Sequence, residues 1–438
     1  MAERLDDLHL AELHARAARL GVPRFRMLRR EELVREIDAR GGAGDGPATT
    51  TGPEAAEPAV DASDAETPPA GIPAVVAEPR REREREQLEA EETEPVSGVL
   101  EITPQRYGFI RLHGLEARDD DVYISASQIR RCELRSGDEV SGPAREPRRG
   151  ERHRALVHVD RVNGAEPVAD GRPGFDELTP VVPKRRVALD RDPADFLTRA
   201  VDLLAPLALG QRVLVMAAPR SGRTTLLRGI ARSIAAAEGL ELIVLLVDER
   251  PEEATVWREA LPDAYIASAT AELAPREQVR VAELALERGR RRAEAGADAV
   301  LIVDSLSRLA VASADAAEVK RVFGSGRDLA EEDAGSLTVI ATVVEGAEDD
   351  GAAERAVITT ESSLIKLDAA LAAAGIVPAL RAGETRVSNE EELREAEELT
   401  AVRRLRSLLA DLDPAEAAHL LRERIEGSPS NSELLRSL

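Results

Sequence analysis

The sequence predicts an α/β protein: a parallel sheet covered by helices on both faces, preceded by a small β-barrel and a short helical unit. Three observations carry this. Four continuous apolar runs of strand length, Val213–Ala217, Leu242–Val247, Ala299–Val303 and Leu337–Ala341, alternate with amphipathic helical patterns from residue 191 onward. Strands buried on both faces read as unbroken apolar runs, and their alternation with helices marks a doubly covered parallel sheet. Residues 96–165 switch to short strand-like runs between turn residues, about five strands, which suits a small barrel such as an OB-fold. Between Val213 and Leu226 a strand, a glycine-bearing loop and a helix follow one another, the setting of a phosphate-binding loop.

Taken in order, residues 1–40 read as two short helices around a Gly21-Val22-Pro23 turn. Leu5, Leu8, Leu10, Leu13, Ala17 and Leu20 are largely helix-spaced, and Leu33, Val34 and Ile37 share one face. Residues 41–95 are rich in Ala, Pro, Thr, Asp, Gly and Glu and nearly lack bulky apolar side chains. They cannot bury enough surface to offset chain entropy, so a disordered linker is expected. Within 96–165 the strand candidates are Val99–Ile102, Gly108–Leu112, Asp121–Ile124 and Arg154–Val159, with Ser136-Gly137-Asp138 as a turn. Residues 166–190 form a Pro- and Gly-bearing connector, 191–395 the helix-covered sheet, and 396–438 a set of C-terminal helices.

Composition narrows the function. The chain of 438 residues is long enough for two to four domains, and 43% hydrophobic content supports real cores. Its single cysteine, Cys132, excludes a disulfide framework and a cysteine-based zinc site. No apolar signal core opens the chain and no run of about 18 apolar residues occurs, so a cytoplasmic protein without a membrane partner is expected. The net charge of −23 argues against indiscriminate nucleic-acid binding, because phosphate contacts need a basic surface, but leaves room for a local site. Among 59 basic residues only Lys184, Lys320 and Lys366 are lysines, a preference that reads as coding bias rather than functional choice.

The loop after the first apolar run reads Ala217-Ala-Pro-Arg220-Ser221-Gly222-Arg223-Thr224-Thr225. Against the pattern G-x-x-x-x-G-K-[ST], Ala217 replaces the first glycine and Arg223 the lysine. The chemistry still makes sense: backbone N–H groups at the helix start cradle phosphates, Thr224 can offer its hydroxyl to Mg²⁺, and Arg223 keeps the positive charge on a larger planar fork. A tight turn and helix cap without a ligand is the alternative. Two further strand ends favour the nucleotide. Asp248-Glu249-Arg250-Pro-Glu-Glu253 ends the second run, where Glu249 can orient water and Arg250 can reach a phosphate. Asp304 ends the third run as a Walker B carboxylate would. Any one of these is explained by a capping carboxylate; all three in P-loop order are not.

The barrel carries its own signal. Tyr107, Phe109 and Tyr123, three of nine aromatics, fall within 17 residues. Tyr107 and Phe109 are two apart and so face one side of a strand. Single-strand-binding barrels stack bases on such rings. Arg106, Arg111, Arg130, Arg131, Arg148, Arg149, Arg152 and Arg154 supply local positive charge. Rings that fill the barrel core instead are the alternative.

On these residues the chain resembles the bacterial transcription termination factor Rho family over nearly its whole length apart from the linker. Gly98-Val-Leu-Glu, Tyr107-Gly-Phe-Ile-Arg111, Asp121-Val-Tyr-Ile-Ser-Ala-Ser-Gln-Ile-Arg-Arg131 and Gly150-Glu-Arg-His153 are similar to its cold-shock-type RNA domain. Asp248–Glu253 and Asp304-Ser-Leu-Ser-Arg-Leu-Ala310 are similar to its RecA-like ATPase core. The resemblance implies a hexameric ring that binds nascent single-stranded RNA, hydrolyses ATP with Mg²⁺ between subunits and releases RNA polymerase; a mixed ring with another Rho is a variant of this. It implies an RNA site of Tyr107, Phe109, Arg111, Asp121, Tyr123, Glu151 and Arg152. ATP would be held by Gly210, Gln211, Arg212, Arg220, Ser221, Gly222, Arg223, Thr224, Thr225 and Arg250. Glu249 would be the catalytic carboxylate, Asp304 and Thr224 the magnesium ligands, and Arg386 the arginine finger for a neighbouring subunit.

The chain also departs from the family. Arg223 stands for lysine, His153 for an aromatic, Val377 for the adenine-stacking aromatic, and Gly375 for a basic residue. The long RNA-contacting loop after Ala310 is missing, and a second pore loop reads Glu345-Gly-Ala-Glu-Asp-Asp-Gly351, acidic where a lysine is expected. Hence two rival expectations: an RNA-binding paralogue without motor activity, and a rotary-ATPase-like subunit sharing the same core.

Overall fold

The computed structural model describes residue 34 and residues 93–167, 171–346 and 351–438. The helical pair expected over 1–40 and the linker expected over 41–95 fall outside the described residues, apart from Val34 and the linker's last three positions. Those three, Thr93–Pro95, already belong to a strand, paired antiparallel with Arg145–Pro143.

The first sheet contains β1 (Thr93–Ile102), β2 (Gly108–Arg111), β3 (Val122–Ile124), β4 (Glu139–Arg145), β5 (Ala155–Leu156) and β6 (Arg161–Val162). Its order is β1-β2-β3-β5-β4-β6, and β1 also pairs with β4, so five strands close on themselves as a barrel. Closure removes exposed strand edges from a unit too small to cover them otherwise. Leu100, Ile110, Val122, Ile124, Val140 and Leu156 fill the interior. A short helix, Ala126–Arg131, adds Ile129 to that core and is started by a Ser125–Gln128 capping box. β4 has no counterpart among the expected strands. Its buried positions are Val140, Gly142 and Ala144, only one of them bulky, so the alternation is faint in sequence. Gly142 is small for a reason: a Cβ there would lie 2.2 Å from the His158 carbonyl oxygen.

The strands that follow are β7 (Pro180–Val181), β8 (Arg186–Val187), β9 (Leu207–Ala208), β10 (Arg212–Ala217), β11 (Leu240–Glu249), β12 (Tyr265–Thr270), β13 (Asp298–Asp304), β14 (Arg327–Leu329), β15 (Ser336–Val344), β16 (Ser363–Lys366) and β17 (Arg386–Val387); β8 and β9 pair with each other and the rest form the second sheet. The order β12-β11-β13-β15-β10-β16-β17 is parallel from β12 to β16. Side chains alternate across it. Val213, Val215, Val244, Leu246, Val300 and Ile302 enter one apolar layer. Leu214, Met216, Ile243, Leu245, Leu301 and Val303 enter the other. The unbroken apolar runs are thus strands with helices on both faces. Helices Ala396–Ala410, Pro414–Glu426 and Asn431–Arg436 seal the first layer with Val402, Leu405, Leu421, Ile425 and Leu434.

The long helix Pro275–Glu294 holds the barrel against the sheet unit. Arg280 Nε reaches Glu101 at 3.0 Å and Arg288 Nη2 reaches Glu139 at 3.1 Å. Gly137, with φ of 88°, sits so close that a Cβ would be 2.3 Å from the Glu287 carbonyl carbon. Both the left-handed backbone and the contact forbid a side chain. Gly137→Ala is therefore expected to cost more than about 1 kcal/mol and to lower the thermal midpoint by about 2 °C or more, read by calorimetry.

Candidate nucleotide-binding and RNA-binding sites

Parallel strands point their carboxyl ends to one edge, where open α/β sheets bind ligands. β10, β11 and β13 bring the loop 218–222, Asp248-Glu249 and Asp304 to that edge together. The helix Arg223–Ala235 begins there from Gly222, whose φ of 90° lies in the left-handed region and suits glycine. The first N–H groups of that helix lack intrahelical partners and form an anion-binding terminus. Ser221 Oγ is buried with no partner among the described residues, a free hydroxyl inside the loop. The loop lines a cavity of about 700 Å³ with Arg220, Gly222, Arg223, Thr224, Thr225, Asp248 and Arg308.

At its centre stands Arg223. Its Nη2 lies 3.3 Å from Glu249 Oε1, and its Nε lies 3.2 Å from Asp304 Oδ1. Arg308, one turn beyond Asp304, places Nη1 2.5 Å from Glu249 Oε1 and 2.8 Å from the Asp248 carbonyl. Thr342, on the strand between β10 and β13, donates to Asp304 Oδ1 at 3.0 Å. Burial pushes both carboxyls above their ordinary range, and the two guanidinium groups oppose that shift. The arrangement is a closed network of one buried carboxylate, Asp304, one half-buried carboxylate, Glu249, and two arginines.

Thr224 and Asp304 are the oxygens that the resemblance assigns to Mg²⁺. Magnesium demands oxygens at about 2.0–2.1 Å in a nearly ideal octahedron. Asp304 is 2% exposed, and its Oδ1 already meets a hydroxyl and a guanidinium. With Arg223 inserted between the two carboxylates, the residues present do not fit the ion.

Other expected nucleotide residues stand elsewhere. Gly210, Gln211 and Arg212 are not brought to the cavity. They lie at the start of β10, roughly 17 Å along the strand from the phosphate loop, and their polar groups are used internally. Gln211 Oε1 accepts from the Ala208 N–H at 2.9 Å, the Gly210 N–H donates to Thr338 at 2.8 Å, and Arg212 donates to the Thr360 and Gly326 carbonyls at 2.6 and 3.0 Å. Within this chain, then, these three do not line the cavity. Arg250 is exposed and starts the helix Pro251–Ala260. Arg386 is exposed on β17, 3.1 Å from Glu361, and does not line the cavity. Val377 is exposed. The long loop missing after Ala310 is replaced by a two-residue turn, Ala314-Asp315, between helices Leu306–Ser313 and Ala316–Gly324. Of the acidic loop, 347–350 lie outside the described residues; Glu345 pairs with Lys366.

On the barrel, Tyr107, Phe109 and Tyr123 form one cluster outside the core. Ring centroids are 5.8 Å apart for Tyr107–Phe109, 5.7 Å for Tyr107–Tyr123 and 6.2 Å for Phe109–Tyr123. His153 joins edge-on at 5.0 Å from Phe109. All three rings are half-buried, and the barrel interior is filled without them. Arg111 differs from a surface phosphate contact: it is 5% exposed, bonded to Asp121 and Glu101, and lies beside Phe109. Asp121 is buried with it. Glu151 is exposed and accepts from Arg145 at 2.7 and 2.8 Å and from the Arg148 N–H at 2.9 Å. Those hydrogen bonds hold its carboxyl at about 2. Arg152 is exposed, 2.7 Å from Asp119. Phe109, Arg111, Arg118, Arg152 and His153 share a shallow cleft.

Sequence reasoning missed Arg308, Thr342 and Glu361. Arg308 lay inside a quoted motif, but only the fold shows that it reaches Glu249. Thr342 and Glu361 carried no signal, since nothing in their neighbours marks them.

Known proteins fit both sites. Residues 96–168 match the Rho termination factor RNA-binding domain, and residues 198–327 match the nucleotide-binding domain of the ATP synthase alpha/beta family. An ATPase of the type III secretion system of pathogenic bacteria shares the fold, with a TM-score of 0.50 at 19% identity over 64% of this chain and 93% of its own. The transcription termination factor Rho of Aquifex aeolicus is 36% identical over 378 residues, 80% of this chain and 86% of the relative. That of Bacillus subtilis is 39% identical over 339 residues, covering 72% and 78%. That of Rhodopirellula baltica is 32% identical over 470 aligned positions, covering 99% and 90%. Because these alignments run through the barrel and the nucleotide-binding sheet alike, the chain belongs to the transcription termination factor Rho family.

Proposed function

We propose that the chain is a Rho-type transcription termination factor. It binds nascent single-stranded RNA on the barrel and ATP in the cavity at the strand ends. Hydrolysis then drives movement along the transcript and its release from RNA polymerase. The observation that carries this reading is one molecule holding solvent-facing rings on a closed barrel and Gly222, Glu249 and Asp304 at one sheet edge. Tyr107, Phe109 and Tyr123 stack bases, and Arg152 supplies positive charge at the cleft rim. Arg111 and Asp121 fix the wall behind Phe109, while Glu151 fixes the loop that carries Arg152 and His153. The helix start, Ser221, Arg220 and Arg223 hold phosphates, with Thr224, Thr225 and Arg250 at the rim. Glu249 orients the attacking water once Arg223 turns from it to the phosphates. In a cytoplasmic hexameric ring, Arg386 reaches a neighbour's nucleotide.

A second reading, an RNA- and nucleotide-binding member without motor activity, is favoured by the Arg223 contacts with both carboxylates. A steady-state ATPase assay with and without poly(C) separates the two. The expected result is RNA-stimulated turnover below about 1 s⁻¹, the low end for enzymes. Poly(C) binding with no turnover would select the second reading. Absence of single-stranded RNA affinity would remove both and favour a rotary-ATPase-like subunit.

A further inference from the structure

We propose that this chain binds the polyphosphate of a nucleoside triphosphate without a divalent cation, the Arg223 guanidinium taking the place of the metal. The inference rests on the nucleotide reading above and concerns what neutralises the phosphates there.

In a phosphate loop with lysine, the ammonium is a compact point charge that leaves room for an ion beside the Walker B carboxylate. Here the longer, planar group spans that room. One guanidinium lies 3.2 Å from Asp304 Oδ1 and 3.3 Å from Glu249 Oε1. Nη2 donates to Glu249 and Nε makes only an ion-pair contact with Asp304, so donors on Nη1 remain for phosphate oxygens. Guanidinium matches phosphate geometry with paired hydrogen bonds and never deprotonates.

The charge balance points the same way. Asp304 and Glu249 are met by Arg223 and Arg308, so the carboxylates are neutralised before any ion arrives. Arg220 then stands against Asp248 in the cavity lining, so three arginines balance three acids and no excess of carboxylate is left to draw in a dication. A dication placed beside Asp304 would face Arg223 at close range, and like charges repel most strongly where water is excluded. Seating the ion would require Arg223 Nε to leave Asp304, whereas a phosphate needs only the donors that those contacts leave over. A triphosphate can take the donors that the carboxylates leave over on Arg220 and Arg223, and Ser221 Oγ, buried and without a partner among the described residues, adds another.

The test is a titration of the full chain with the fluorescent nucleotide N-methylanthraniloyl-ATP, in excess Mg²⁺ and in excess EDTA. The expected result is a wild-type Kd that differs by less than about fivefold between the two buffers, while Arg223→Lys binds at least about fivefold more weakly in EDTA. A wild-type loss of fivefold or more in EDTA overturns the inference and leaves the nucleotide site standing. An Arg223→Lys variant as indifferent to EDTA as the wild type also overturns it, since arginine would not be the substitute. No binding in either buffer withdraws the nucleotide reading itself. The wild-type comparison needs no variant, so misfolding of Arg223→Lys does not blunt it.

Discussion

An Arg223→Lys variant is expected to hydrolyse ATP with poly(C) at least about tenfold faster than the unaltered chain, which corresponds to about 1.4 kcal/mol off the barrier. The reason is geometric. Glu249 can orient water only if an oxygen of its carboxylate is free at the attack position. In this chain Oε1 is shared by Arg223 at 3.3 Å and Arg308 at 2.5 Å. For Glu249 to act as the base, one of those contacts has to give way. Lysine removes the Nη2 contact, because its single ammonium cannot span Glu249 and Asp304 as the fork does. It still carries the charge that phosphates need. The net effect is a nucleotide site of similar affinity with a less encumbered base. Turnover that stays unchanged, with the variant folded and binding nucleotide, would show that the barrier lies elsewhere. The shortened turn Ala314-Asp315, where an RNA-contacting loop was expected, would then be the next candidate.

How much of this was legible in the sequence follows from what each signal depends on. The four apolar runs became β10, β11, β13 and β15 because burial on both faces leaves an unbroken apolar word. β12 (Y-I-A-S-A-T) and β16 (S-L-I-K) mix in small polar residues and so present no unbroken apolar run. β4 was hidden by Gly142 and Pro143, chosen for a close backbone approach rather than for bulk. At that sheet edge, Glu249 and Asp304 were readable because each ends a strand, and Gly222 because it closes the loop into the next helix; all three signals are local. Gly210, Gln211 and Arg212 lie away from the cavity, which sequence could not show, because adjacency to β10 does not say which end of the strand faces it. The Arg223–Glu249–Arg308–Asp304 network was out of reach, since it joins three strand ends through side-chain length. On the barrel, the aromatic cluster was legible from composition, whereas the burial of Arg111 was not. An arginine two residues from a ring outside the core looks like a phosphate contact until Asp121 and Glu101 are found to hold it.

Phe109→Ala is expected to weaken binding of poly(C) by roughly 5- to 150-fold, the equivalent of about 1–3 kcal/mol for one base–ring stack. The position makes the measurement clean. Phe109 lies at the centre of the cluster, within 5.8 Å of Tyr107, 6.2 Å of Tyr123 and 5.0 Å of His153. It contributes nothing to the barrel interior, which Leu100, Ile110, Val122 and Ile124 fill. Truncation should therefore leave the thermal midpoint nearly unchanged while removing the stacking surface. Arg111→Ala provides the contrast. It strips a buried pair from Asp121 and Glu101, and removing one partner of a buried pair costs about 3–5 kcal/mol. That variant is expected to lose stability first and RNA affinity as a consequence. If filter binding gave Phe109→Ala the affinity of the unaltered chain, the rings would not be a stacking platform. RNA binding would then have to be sought away from the barrel, on a chain whose net charge of −23 offers few other surfaces.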